Sequence, residues 1–231
     1  MRLVILELFV LSDLKQNIHL LNQLIPGLLG QIDRDPDSPT YGSCDRNYWM
    51  YRIHDFDSGV LQQQSLTLAI IAKIWHTVAS SHCNHAIMLE PEYVRALSHA
   101  ICNRTVKLLI NNGFLDEYYP GERSFPGTVF SAYATLKAAH LLGFKDIINH
   151  EGIHKCAREI CKKEPTQASN QNAAAAAFLA LYNKLTCRPG NQFINKIDEF
   201  LFKENHDGLF NEYGGGDLGY STVTLNYLAC M

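Results

Sequence analysis

Two short segments of the chain each place a carboxylate beside a tyrosine. Glu117 is followed by two tyrosines, and Glu212 is followed by Tyr213. Two carboxylates that face each other across a cleft can act as general acid and general base in glycoside chemistry, and a tyrosine can protonate the leaving group in an eliminating lyase. The alternative is structural, because such glutamates can accept hydrogen bonds from loop and helix N-terminal N–H groups, and the tyrosines can anchor the core. Glu117, Glu212 and Tyr213 are therefore candidate catalytic residues, with the structural alternative open.

The densest group of reactive and aromatic side chains lies between residues 45 and 55. Aromatic rings stack on sugar faces, and arginine forks hold carboxylates or phosphates. Asp45 is the fourth candidate catalytic residue. The candidate substrate-binding residues in this group are Arg46, Trp49, Arg52 and Asp55. The competing interpretation is that Trp49 and Tyr48 close the mouth of the toroid while Asp45 forms a local ion pair with Arg46.

Further candidate substrate-binding residues follow the two carboxylate–tyrosine segments or begin a predicted helix. They are Tyr119, Glu122, Asn170, Asp217 and Tyr220. The amide of Asn170 either binds a hydroxyl-rich ligand or caps the helix that begins there.

Composition limits the possible functions. Apolar residues make up 47% and charged residues 19% of the chain, which is typical of a globular core, and the net charge of −3 gives no basic surface for nucleic acid. The seven cysteines form no CxxC pair, which favours reduced thiols and a cytoplasmic location. The first 11 residues are mostly apolar but too short to span a membrane. Two histidine pairs have metal-compatible spacing but no third ligand, so we expect no metal and no cofactor.

The apolar periodicity predicts an all-α fold of eight helices. Their predicted ranges are 13–32, 58–79, 91–113, 127–142, 145–163, 168–185, 191–205 and from 218 to the end. Even-numbered helices are apolar on all sides and odd-numbered helices are amphipathic, which predicts inner and outer helices in an α/α toroid of about four helical hairpins. We expect one domain over residues 1–231, and an incomplete toroid because the chain ends inside the eighth helix.

An internal repeat supports this arrangement. Residues 112–118 align with residues 207–213 at an offset of 95, and an ungapped continuation places Glu122 on Asp217. The repeat predicts that Glu117 and Glu212 occupy equivalent positions in loops at one rim of the fold. A ligand site would then lie between these loops and the loop of residues 45–57.

Several motifs in order also carry a family resemblance. They are Gly42–Phe56, Asp116–Pro120, Ser124–Tyr133, Ala168–Ala174 and Asn211–Asp217. The chain resembles bacterial α/α-toroid proteins of unassigned activity that are encoded in capsule and O-antigen polysaccharide gene clusters, within the terpenoid cyclase/prenyltransferase-like superfamily. It lacks the Asp-x-Asp-Asp motif of squalene-type cyclases and the zinc motifs of related toroids.

The aromatic, carboxylate, arginine and asparagine side chains of these loops, together with the resemblance, predict a carbohydrate-active or glycan-binding protein of polysaccharide biosynthesis, with lyase- or hydrolase-like activity if it is an enzyme. The expected partner is an anionic glycan or a sugar phosphate. Two alternatives remain open. One is a non-catalytic binding or scaffold module that uses the same rim, and the other is isoprenoid chemistry of the terpenoid cyclase type.

Overall fold

The computed structural model describes residues 24–45, 57–74, 90–188, 194–195, 205–206 and 208–231. The start of the first predicted helix, the end of the second and most of the seventh lie outside these residues, as does most of the loop of residues 45–57. The described part of the chain is mainly α-helical, which confirms the predicted class at that level.

The elements are as follows. Residues 24–30 are helical. A 3₁₀ helix, Gly59–Gln63, leads into α1, Gln64–Lys73. The remaining helices are α2 (Pro91–Leu109), α3 (Phe125–Leu142), α4 (Lys145–Ile148), α5 (Glu151–Cys161), α6 (Ser169–Thr186) and α7 (Leu218–Leu228). Three short strands, β1 (Asn205–His206), β2 (Leu209–Glu212) and β3 (Gly215–Gly216), pair antiparallel in the order β1-β2-β3. The prediction of helix at residue 205 is therefore wrong.

Helices α1, α3, α6 and α7 pack side by side in that order, and α2 and α5 pack against this row. We call the four helices of the row the inner helices and α2 and α5 the outer helices. Helix α6 explains why this row can form. Its five consecutive alanines, Ala173–Ala177, are fully buried, as is Phe178. Small side chains let α3 and α7 approach α6 from two sides, and a helix that is apolar all round must be buried all round.

Contacts between helices fix their relative directions. The start of α5 at Gly152 lies against Val106 of α2, and Glu159 near the end of α5 lies against Gly113 just beyond α2. Helices α2 and α5 are therefore parallel. Helix α6 runs antiparallel to α5, since His154 near the start of α5 contacts Tyr182 near the end of α6 at 3.1 Å.

The predicted helix of residues 145–163 is wrong, because it is broken into α4 and α5. Its pattern remains amphipathic throughout, but the His150 side chain accepts a hydrogen bond from the Gly152 N–H at 3.1 Å and so starts a new helix. Burial, and then the charge of Lys107, lowers the pKa of His150, which keeps the accepting nitrogen unprotonated. Gly152 also matters for packing, because a Cβ there would overlap the carbonyl oxygen of Val106.

Three further observations concern the described residues as a set. None of their helices combines the length and apolar character needed to cross a membrane. Six of the seven cysteines fall within the described ranges, and each is a free thiol. The same ranges contain no group of three or more His, Cys, Asp or Glu side chains placed to hold a metal ion.

Candidate functional site

The candidate site lies at the end of the molecule where the inner helices begin. We call residues 113–124 and 208–217 the first and second rim loops. The first lies between α2 and α3, and the second pairs with the start of α6 through a bridge between Ala168 and Glu212. Since α2 and α5 are parallel, the loops that follow them emerge at the same end. The two rim loops therefore lie at the same end of the described helices.

Each rim loop is fixed to its following helix by the same hydrogen bond. The Leu115 N–H donates to Thr128 Oγ1 of α3 at 2.8 Å, and the Phe210 N–H donates to Ser221 Oγ of α7 at 3.1 Å. The hydroxyl groups of these two helices therefore serve as hydrogen-bond acceptors for backbone N–H groups of the rim loops.

The helix caps correct the alignment of the repeats. Ser124 caps α3 by accepting from the Gly127 N–H, and Asp217 caps α7 by accepting from the Tyr220 N–H. The second loop is therefore two residues shorter than the first. Asp217 corresponds to Ser124, and the ungapped placement of Glu122 on Asp217 is wrong.

The carboxylates of the first rim loop hold the loop itself. Asp116 accepts from the N–H groups of Gly121 and Arg123 at 2.8 and 2.9 Å. One oxygen of Glu122 accepts from the N–H groups of Glu117 and Tyr118, both at 2.8 Å. These bonds compete with the predicted role of Glu122 in substrate binding.

Glu117 also binds within its own repeat. Its Oε2 accepts from the hydroxyl of Ser124, the residue that caps α3, at 2.8 Å. This bond supports the structural alternative for Glu117, since the carboxylate stabilises the N-terminus of α3 through its capping residue.

Glu212 attaches the second rim loop to α6. Its side chain is 7% exposed, and Oε1 accepts from the Asn170 N–H at 2.9 Å. This carboxylate serves the helix N-terminus because the N-cap residue, Ala168, has no side-chain acceptor. Asn170 itself is the second residue of α6, so it is not the cap.

The second oxygen of Glu212 differs from the first in its hydrogen bonding. Oε2 is buried and makes no hydrogen bond, and the same holds for Oδ1 of Asn170 in the described part of the chain. Burial raises the pKa of Glu212, with a smaller contribution from the charge of Asp217, while hydrogen bonds from the backbone of Asn170 and Ser169 oppose the rise. Glu212 therefore favours its protonated form more than an exposed carboxyl does.

Tyrosines form the exposed part of both rim loops. Their exposed fractions are 56% for Tyr118, 60% for Tyr119, 67% for Tyr213 and 48% for Tyr220. The Tyr213 hydroxyl accepts from Gln171 of α6 at 3.0 Å, which orients its ring. Arg123 of the first rim loop is also exposed, has a left-handed φ of 56°, and makes no ion pair within the described residues.

The structure brings only part of the predicted site together. Asp45 is described, and its N–H donates to the Gln31 carbonyl at 2.9 Å. Four other predicted site residues lie outside the described residues: Arg46, Trp49, Arg52 and Asp55. The placement of the loop of residues 45–57 opposite the rim loops stays a prediction.

An ion pair close to the first rim loop was not predicted from the sequence. Arg104 of α2 holds both oxygens of Asp57, with Nη2 at 2.8 Å and Nε at 3.0 Å from the carboxylate, and also donates to the Pro39 carbonyl at 3.3 Å. Asp57 stands two residues before Gly59, whose N–H donates to the Asp116 carbonyl of the first rim loop at 2.6 Å. No local spacing signal could have revealed this pair, since its members are 47 residues apart.

Comparison with known proteins returned no relative of this chain. No protein-family model, no curated protein and no solved structure matches it. The family resemblance carried by the motifs remains a prediction.

Proposed function

We propose that the rim loops bind an acidic glycan and do not cleave it. The observation that carries this proposal is that the carboxylates and the tyrosines of the rim loops have different roles. The carboxylates of the first loop are used to hold the loop in place, whereas the tyrosines of both loops are exposed on one face. A face of this kind offers stacking surfaces to sugar rings but, in the first loop, no free acid–base pair.

The charge of the face favours an acidic ligand. Arg123 provides a guanidinium that is not neutralised by an ion pair within the described residues, and such a group binds carboxylates in a bidentate manner. The N-termini of α3, α6 and α7 add positive potential at the same end. A role in polysaccharide biosynthesis would accord with this ligand class.

Binding can be tested with a matched pair of oligosaccharides. We expect tetragalacturonate to raise the melting temperature and to bind saturably in calorimetry, and its fully methyl-esterified form to bind at least about tenfold more weakly because it lacks the charges. Arg123→Gln should remove this discrimination, whereas Arg158→Gln on the outer helix α5 should preserve it. Equal binding of both oligosaccharides to the wild-type chain would refute an acidic ligand. New reducing ends or an unsaturated product would refute the absence of cleavage.

A second candidate function rests on Glu212. A buried carboxyl with a raised pKa and one unpartnered oxygen has the properties of a general acid, so a glycoside hydrolase- or lyase-like reaction at Glu212 with Tyr213 is the alternative. Glu212→Gln distinguishes the two. If the variant still binds the glycan and neither protein turns it over, the chain is a binding module. If the wild type turns the glycan over and the variant does not, Glu212 is catalytic. No observation on the described residues favours the isoprenoid alternative.

A further inference from the structure

A groove of about 390 Å³ lies on the outer helix α2, separate from the rim loops. Its floor is a stripe of α2 in which Ala96 and Ala100 recur one turn apart, and its walls are the rings of Tyr41 and Phe144. The loop that carries Tyr41 is pressed against the helix, because a Cβ at Gly42 would overlap the backbone of Ala100. The groove is therefore shallow, apolar at its base and aromatic on two sides, and its volume suits a small ligand.

The side chain of Arg95 is held in this groove by an aromatic ring. The guanidinium of Arg95 lies over the Phe144 ring, 4.8 Å from the ring centroid, and makes no ion pair within the described residues. The cation–π contact holds the planar group in position and leaves its N–H edge available for a bidentate acceptor. Glu92, which also lines the groove, is exposed and forms no ion pair with Arg95.

His99 is held in one orientation beside this cation. Its Nε2 lies 2.7 Å from Asp146 Oδ2, and its ring meets Phe144 edge-on with centroids 4.7 Å apart. Burial alone would raise the pKa of Asp146, but the hydrogen bond and charge of His99 outweigh burial and lower it, so Asp146 is ionised and orients the imidazole. Asn103, one turn beyond His99 on the same stripe, adds an amide. Arg95, His99 and Asn103 thus offer three polar groups in a line of about 12 Å along α2.

We propose that this groove is a binding site for a small aromatic carboxylate. The carboxylate binds the guanidinium of Arg95, and the ring lies over Ala96 and Ala100 beside Tyr41. Both halves of the ligand are required, because the floor and walls of the groove are apolar while Arg95 makes no ion pair within the described residues. The site is independent of the rim loops and of the proposed glycan.

The test is a titration of the full chain with benzoate and with benzamide, which is nearly the same shape but uncharged. Ligand-observed NMR and calorimetry should show saturable binding of benzoate with a dissociation constant on the order of 1 mM for a ligand of about nine heavy atoms. Benzamide and acetate should each bind at least about tenfold more weakly, because one lacks the charge and the other lacks the ring.

Two variants and a control locate the site. Arg95→Gln should weaken benzoate binding by about tenfold or more, and Ala96→Leu, at an exposed position with good helix propensity, should abolish it by filling the floor. Arg158→Gln on α5 should leave binding unchanged. The proposal is overturned by equal affinity for benzoate and benzamide, by unchanged affinity in both groove variants, or by no saturable benzoate binding at 20-fold the expected dissociation constant.

Discussion

Arg104 and Asp57 carry the clearest energetic consequence at the scale of single residues. The carboxylate side chain is 3% exposed and the arginine side chain 24% exposed, and three hydrogen bonds from Nε and Nη2 join them. Removing one partner of a buried pair leaves the other charge uncompensated, which costs far more than the pair contributes relative to an apolar replacement.

Arg104→Ala should therefore destabilise the protein by about 3 to 5 kcal/mol, measured as the free energy of unfolding in urea. A double variant that also carries Asp57→Ala should recover part of this loss. The matched control is Arg158→Ala, because the side chains of the Arg158–Glu151 pair are 53% and 62% exposed, so that losing this pair should have a much smaller effect on stability. Similar losses from Arg104→Ala and Arg158→Ala would show that the Asp57 pair is not effectively buried.

Glu212 predicts a distinctive dependence of stability on pH. Its folded pKa is raised, so folding favours the protonated carboxyl, and stability falls as pH rises from the ordinary carboxyl pKa through the folded value. Glu212→Gln keeps an oxygen for the Asn170 N–H and removes the titration. The free energy of unfolding of the variant should thus rise relative to that of the wild type as pH increases above the ordinary carboxyl pKa of about 4.

A control for this pH profile is Glu151→Gln. The hydrogen bond from Arg158 lowers the pKa of Glu151. The free energy of unfolding of the wild type should therefore rise relative to that of this variant as pH increases through the carboxyl range. A difference between Glu212→Gln and wild type that does not change with pH would contradict the raised pKa.

At the scale of elements, hydroxyls on the inner helices attach the rim loops. Thr128 and Thr135 both lie fully buried on α3, but only Thr128 accepts from a loop, at the Leu115 N–H. Oγ1 of Thr135 has no hydrogen-bond partner in the described residues. The two threonines therefore form a matched pair on one helix.

Thr128→Val should cost about 1 to 3 kcal/mol, because it leaves the buried Leu115 N–H without an acceptor, and the exchange of that amide hydrogen should accelerate. Thr135→Val should be neutral or stabilising by thermal melting, since it removes an unsatisfied hydroxyl at constant volume. If Thr128→Val is as well tolerated as Thr135→Val, the loop does not depend on this hydrogen bond.

Sequence patterns predicted the existence of helices better than their boundaries. The predicted end of a helix at residue 142 is correct, because Gly143 follows it in the left-handed conformation at φ 73°, where glycine carries no steric cost. The break at His150 was missed because its cause is a side chain capping the backbone within an uninterrupted amphipathic pattern. The N-terminus of α3 was placed too late, since Ser124 caps the helix while Pro126 occupies its second position.

At the scale of the whole molecule, the internal repeat predicted the most about the candidate site. It placed Glu117 and Glu212 in related loops at one face, because a motif that recurs before each inner helix must recur at the same end of a hairpin array. It could not reveal the two-residue difference between the loops, since only the caps at Ser124 and Asp217 fix that register. Nor could it reveal the use of the first loop's carboxylates within the loop, which depends on backbone geometry.

The most direct test asks whether the two rim loops bind one ligand together. Calorimetric titration with tetragalacturonate should show that Tyr119→Ala in the first loop and Tyr213→Ala in the second each weaken binding by about tenfold, since each removes an exposed stacking surface. Tyr93→Ala, an exposed tyrosine on α2, should have no effect. Affinity that falls with both rim variants is the result we predict. The account is contradicted if either Tyr119→Ala or Tyr213→Ala leaves the affinity unchanged in a protein that melts like the wild type.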